Sequence, residues 1–186
     1  PVKSHGYNDG VCMYVGEQMT YKDALYGMYL SSANECAAQL GMSWAGSTAA
    51  FAELMNAKAA QIGCTGTHFV NAHGLDNAAH YTTPYDMALI FNYALQNARF
   101  LEMATTYSYT TTTGVTCEMG HKMVHPASDA AYAAWHYEGA YAGKTGKTAN
   151  AGRTLVTAAN IEGHNIITVI MKSNETYFYD DTLRLL

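Results

Sequence analysis

The stretch Gly143-Lys144-Thr145-Gly146-Lys147-Thr148, followed a few residues on by Arg153-Thr154-Leu155-Val156, decides how this chain is read. Glycine, lysine and threonine in one run first suggest a phosphate-binding loop. Such a loop needs a Gly where Tyr141 stands, five places before Gly146, and a helix after it to aim backbone amides at the phosphate. Here a strand pattern follows, so the nucleotide reading fails on both counts. On a strand edge the same residues make different sense. Lys144 and Thr145 offer a cation and a hydroxyl to a carboxylate, and Gly146 lets an extended peptide lie against the strand as an added one.

Working outward, residues 153–159 and 165–171 read as two strands joined through Asn160-Ile161-Glu162-Gly163-His164, a hairpin. The Thr- and Tyr-rich stretch 105–113 predicts an exposed strand where the sheet begins. Upstream the periodicity is helical. Thr20-Tyr21-Lys22-Asp23 sets a hydroxyl cap three residues before a carboxylate, opening a helix toward Leu30, and a short second helix follows Asn34. Ser47 or Thr48 opens a stronger helix that Gly63 can end; its stripe of Phe51, Leu54, Met55, Ala59 and Ile62 is expected to be core. A polar loop over 64–83 precedes Thr83-Pro84-Tyr85-Asp86, the start of a helix carrying Met87, Ile90, Phe91, Ala94 and Leu95. Residues 180–186 begin a further helix. Helices first and strands later predict an α+β class: one domain over 1–186, helical over about 20–104 and sheet over about 105–172.

Composition narrows the function classes. Apolar residues make up 49% and charged residues 13%, enough for a real core. Ten Lys and Arg against fifteen Asp and Glu give a net charge of -5, which argues against nucleic acid as a partner. Cys12, Cys36, Cys64 and Cys117 form no C-x-x-C pair, and their three possible connectivities stay open. No apolar run approaches the roughly 20 residues a bilayer-spanning helix needs.

A second element accompanies Lys-Thr-Gly. Ser32-Ala33-Asn34 follows the first helix; Ser32 can relay a proton, and the Asn34 amide can hold a substrate carbonyl and a neighbouring Lys. Alone, Ser31, Ser32 and Asn34 read as residues that end one helix and cap the next. The surrounding blocks shift the balance: Tyr26-Gly27-Met28-Tyr29-Leu30-Ser31-Ser32-Ala33-Asn34-Glu35-Cys36-Ala37, Thr67-His68-Phe69-Val70-Asn71-Ala72-His73-Gly74-Leu75-Asp76, Tyr81-Thr82-Thr83-Pro84-Tyr85-Asp86-Met87-Ala88, Gly120-His121-Lys122-Met123, and 143–156. In this order they closely resemble the serine D-alanyl-D-alanine carboxypeptidases, the low-molecular-mass penicillin-binding proteins.

That resemblance implies a β-lactamase/penicillin-binding-protein-like fold, an antiparallel sheet flanked by helices, incomplete here at both ends. It implies an extracytoplasmic, cell-wall hydrolase that trims the terminal D-Ala from peptidoglycan stem peptides through an acyl-enzyme and is acylated by β-lactams. No cofactor or metal is implied, and membrane association would come only through parts outside this chain. Ser32, Asn34 and Lys144 would be catalytic. Thr145, Gly146, the Lys147 backbone amide as an oxyanion donor, and His73 on a rimming loop over 73–81 would bind substrate. The family's Ser-x-x-Lys element, which provides the acylating Ser, is not found: no Ser or Thr is followed three places later by Lys, and the element is expected before Pro1.

Three alternatives follow from this. A non-catalytic stem-peptide-binding pseudoenzyme would keep the groove without the nucleophile. A zinc peptidase would use some of the eight histidines, His121 and His125 or His73 and His80 among them, but no H-E-x-x-H occurs. A class A β-lactamase would need Glu-x-x-x-Asn, which is also missing.

Overall fold

The computed structural model describes the backbone of β1 (Val2–Lys3) and all of residues 12–186. β1 pairs antiparallel with β2 (Gln18–Met19). In α1 (Tyr21–Leu30) the Thr20 hydroxyl accepts the Asp23 amide at 3.0 Å and donates to the Asp23 carboxylate at 2.8 Å, satisfying a donor the helix start leaves open. α2 (Asn34–Ala45) ends at Gly46 and α3 (Thr48–Ile62) at Gly63; both glycines are left-handed, where a side chain would be strained. Ser47 caps α3, and Thr83 with Pro84 opens α4 (Pro84–Leu95). A short α5 (Ala98–Ala104) follows, capped by Asn97.

The strands depart from expectation at one place. The predicted strand over 105–113 is only β3 (Ser108–Thr110), and it pairs with β4 (Thr116–Glu118) as a separate two-stranded ribbon. The cause lies in α1. Buried Asp23 accepts hydrogen bonds from the Tyr109 hydroxyl, the Thr112 amide and the Thr112 hydroxyl, which curls the chain into a turn before it can extend. The main sheet therefore begins later, as β5 (Ala140–Thr148), β6 (Gly152–Ile161) and β7 (His164–Ser173), antiparallel in that order. β6 and β7 join through Glu162 and Gly163, both at positive φ, the two-residue hairpin turn that matches strand twist. α6 (Phe178–Leu185) then packs on β6 and β7.

The α3 stripe is corrected as well. Of Phe51, Leu54, Met55, Ala59 and Ile62, only Ala59 is buried, and Leu54 is 49% exposed. The face that α3 buries is its alanine face, Ala52 with Ala59. Its other neighbour, α2, comes close through Gly41, where a Cβ would stand 2.8 Å from the Phe51 ring. Large apolar residues mark the helical period, but small ones decide which side lets another helix approach. The main core lies instead around α1, where Tyr26, Tyr29 and Leu30 meet Met119, Val124, Ala142, Val156 and Ala158.

Candidate active site

β5 carries Lys144, Thr145 and Gly146, and among the described residues β6 is its only strand neighbour. Its outer edge thus offers backbone groups to an incoming extended chain. α1 is tied to this strand just before Lys144, because the buried Tyr29 hydroxyl donates to the Gly143 carbonyl at 2.8 Å. Burial pushes that phenol above its ordinary range, so it stays a neutral donor.

Past Leu30 the chain turns through Ser31 and Ser32. Ser32 has φ 54, a left-handed conformation that a non-glycine residue holds at a cost of about 1–3 kcal/mol and that concentrates at functional sites. Neither serine caps α2: its cap is Ala33, with no side-chain bond, so the capping alternative fails for Ser32. The Ser32 hydroxyl instead accepts a hydrogen bond from the Lys144 ammonium. Lys144 also donates to the Thr145 carbonyl at 2.8 Å. An ammonium has three donors, and among the described residues these are its two acceptors. Burial lowers the Lys144 pKa to about 8, and among the described residues no carboxylate is bonded to it. A cation so placed has a donor and uncompensated charge for an anion at the β5 edge. Asn34, two residues past Ser32, is the first residue of α2.

The neighbours of Lys144 shape this edge. A Cβ at Gly120 would lie 3.7 Å from the Thr145 hydroxyl, which places the 120–121 loop beside that side chain. A side chain at Gly146 would collide with the Thr154 hydroxyl on β6, its cross-strand partner. Lys147 is exposed and ion-paired with Glu175 at 3.8 Å, while Arg153 holds the same carboxylate. His73 lies on the 64–83 loop, where its Nδ1 accepts the Leu75 amide. Asp76 pins that loop to the end of β5 by accepting from the Thr148 hydroxyl at 2.6 Å and the Asn150 amide at 3.3 Å. At its base Asp86 accepts from the Gly66 amide and the Thr67 hydroxyl.

His121, by sequence a hydrogen-bonded loop residue or a metal ligand, is a support in the structure. His121 is 1% exposed beneath β5. Its Nδ1 accepts the Met123 amide, so Nε2 carries the proton and donates to the Thr157 hydroxyl at 2.8 Å. His125 Nε2 donates to the Met119 carbonyl. Among the described residues no group of three or more His, Cys, Asp or Glu is placed to hold a metal ion. The one available signal for His121 was Gly143, two residues into the strand from Tyr141, because only a glycine leaves room for the ring.

Burial, with the nearby Lys144 charge adding to it, lowers the His121 pKa from 6.5 to about 3. Below pH 6.5 the unfolded chain binds a proton that the folded chain refuses. Stability from this group is therefore complete above pH 6.5 and is lost as pH falls toward 3, at about 1.4 kcal/mol per unit. Urea midpoints measured from pH 7 to pH 4 are expected to fall steeply, and less steeply for His121→Gln; equal slopes would contradict the buried neutral imidazole.

A profile of the D-alanyl-D-alanine carboxypeptidase family matches residues 2–175. The chain belongs to that family. A D-alanyl-D-alanine carboxypeptidase of a Streptomyces species is 31% identical over 167 residues, which are 87% of this chain and 57% of that protein. One from Mycobacterium tuberculosis is 30% identical over 84% of this chain and 52% of that protein. The chain thus spans about half the length of these carboxypeptidases. Among solved structures, a D-alanyl-D-alanine carboxypeptidase of Mycobacterium tuberculosis superposes with a TM-score of 0.80 at 26% identity, covering 98% of this chain and 69% of the other. A penicillin-binding protein of Listeria monocytogenes in its cefotaxime-bound form gives 0.74 at 26% identity over 89% and 64%. The fold is the expected α+β, penicillin-binding-protein-like one, helices against antiparallel strands.

Proposed function

We propose that this chain carries the substrate-facing side of a penicillin-sensitive serine D-Ala-D-Ala carboxypeptidase site, one partial domain over 1–186. The observation that carries the reading is the Lys144 ammonium of the β5 edge on the Ser32 hydroxyl just past α1. In this reading a peptidoglycan stem peptide ending in D-Ala-D-Ala lies along β5 as an extra strand. Its terminal carboxylate meets the Lys144 ammonium and the Thr145 hydroxyl. The scissile carbonyl points at the Lys147 amide, while Asn34 and the His73 loop hold the adjacent part of the peptide. Because Lys144 donates to Ser32, the Ser32 hydroxyl proton is left to pass to the leaving D-Ala amine. The acyl group would form on a serine of a Ser-x-x-Lys element, which no stretch of these 186 residues contains. β-Lactams, such as the one bound in the Listeria relative, would enter the same groove through their carboxylate. Such a substrate places the protein outside the cytoplasm.

The alternative reading is a non-catalytic binder of stem peptides. Intact-mass spectrometry of the protein after benzylpenicillin treatment separates the two. A stable adduct of the whole antibiotic supports the enzyme. Saturable binding of an acyl-D-Ala-D-Ala peptide without any adduct supports the binder. Neither adduct nor binding would overturn both, and rapid penicillin turnover would point to a β-lactamase.

A further inference from the structure

The chain's four cysteines are thiols in this structure, and three of them, Cys12, Cys36 and Cys117, are buried in the core around α1. A Cβ at Gly27 of α1 would stand 2.9 Å from the Cys12 sulfur and 3.2 Å from the Cys36 sulfur. Cys12 Sγ is 3.2 Å from Cys117 Sγ, 105 residues along the chain. Both are essentially without solvent exposure, 1% and 0%. The backbone around Cys12 is fixed by the buried Glu35 carboxylate, which accepts the Cys12 amide at 2.6 Å and the Met13 amide at 3.2 Å. Cys117 sits in β4, paired with Tyr109 of β3. Two anchored backbones therefore hold these sulfurs about 1 Å beyond the roughly 2 Å of a covalent S–S bond.

We propose that Cys12 and Cys117 are a cross-linking pair, a redox modification site that closes as a disulfide and staples the segment before β2 to β4 beside the candidate site. The oxidant is a low-molecular-mass disulfide. One cysteine thiolate attacks it, forming a mixed disulfide and expelling one small thiolate. The second cysteine, as its thiolate, attacks the protein sulfur of that mixed disulfide and expels the other small thiolate. Two protein thiols give up two protons and two electrons, and the small disulfide becomes two small thiols. Cys64 does not compete, since its thiol faces the Asp86 carbonyl. Cys36 is the real competitor, since its sulfur also borders Gly27, and the peptide map below distinguishes it from Cys117.

The pair also borders the site. Ser31, the residue next to Ser32, lies close enough to the Cys117 sulfur to influence its charge, so closure acts beside Ser32. Burial pushes the Cys117 thiol up to about 11, so little thiolate is present and exchange in the folded protein is slow. This makes closure most effective while the chain is still folding.

The experiment compares the protein produced in an oxidising secretory compartment with the same protein reduced. Thiol titration and non-reducing peptide mapping are the primary readouts. The expected result is two thiols rather than four and a single peptide linking Cys12 to Cys117. Closing so long a loop should raise Tm by roughly 5–15 °C, and reduction should reverse the rise. Cys36→Ser should keep both the link and the shift, while Cys117→Ser should lose both. Four titratable thiols, or a peptide linking Cys12 to Cys36, overturns the pairing. If Cys117→Ser fails to fold, the peptide map of the unsubstituted protein and of Cys36→Ser decides alone.

Discussion

Gly143→Ala is expected to cost at least about 4 kcal/mol, enough to lower the thermal midpoint by more than 8 °C or to leave the protein insoluble. The added methyl would stand 2.6 Å from His121 Nε2 and closer still to the imidazole Cδ2 and the Val156 carbonyl oxygen. Neither neighbour can give way. The Val156 carbonyl belongs to the β5–β6 ladder, where Lys144 is the residue paired with Val156. The imidazole is wedged between β5 and Thr157 and holds its hydroxyl. Relief would require β5 to lift off, carrying Lys144 from Ser32 and breaking the Tyr29 bond to the Gly143 carbonyl. The comparison is Gly120→Ala, where the new methyl meets only the Thr145 hydroxyl, at an ordinary 3.7 Å, and the Leu30 carbonyl. Circular dichroism melts of both variants check the contrast. A Gly143→Ala protein that melts like the unsubstituted one would refute the wedge.

The same contrast shows what could be read from sequence. Local chemistry was legible wherever it is self-contained. Thr20, Ser47 and Thr83 cap the helices they precede, and Glu162-Gly163 turns its hairpin, because each feature lies within four residues of chain. Lys144 and Ser32 were found as separate words, and the fold joins them across 112 residues. Long-range choices were not legible. On α3 the alanine face is buried while Phe51 meets Gly41 of α2, a division set by other parts of the chain, and the Thr-rich stretch turns because Asp23 of α1 takes Thr112. His121 was ambiguous for the same reason: a histidine two residues before an amide it accepts becomes a buried prop only when a distant glycine makes room. Cysteine pairing was open in sequence, and only packing brings Cys12 to Cys117.

Lys144→Gln is expected to move stability and binding in opposite directions. The folded protein keeps the Lys144 ammonium largely out of water, and its pKa falls from 10.5 to about 8. The unfolded chain binds that proton more tightly, so folding at pH 7 works against about 3 kcal/mol from this one group. The penalty is full below pH 8 and disappears as pH rises through 10.5. A neutral glutamine of similar reach can still donate to the Ser32 hydroxyl. Its urea midpoint should therefore exceed that of the unsubstituted protein at pH 7, with the gap closing between pH 8 and 10.5. Binding should change the other way, because the proposed substrate carboxylate then enters a desolvated site with no cation. Losing such a charged partner typically costs 2–5 kcal/mol, so Kd for an acyl-D-Ala-D-Ala peptide should rise roughly 30-fold or more. In the unsubstituted protein the same affinity should weaken above pH 8, where the ammonium is lost before a ligand arrives. Fluorescence titration of one labelled peptide against both proteins, from pH 6 to pH 10, measures each part. If Lys144→Gln binds as tightly as the unsubstituted chain, Lys144 is a structural residue of β5 and the carboxylate is held elsewhere.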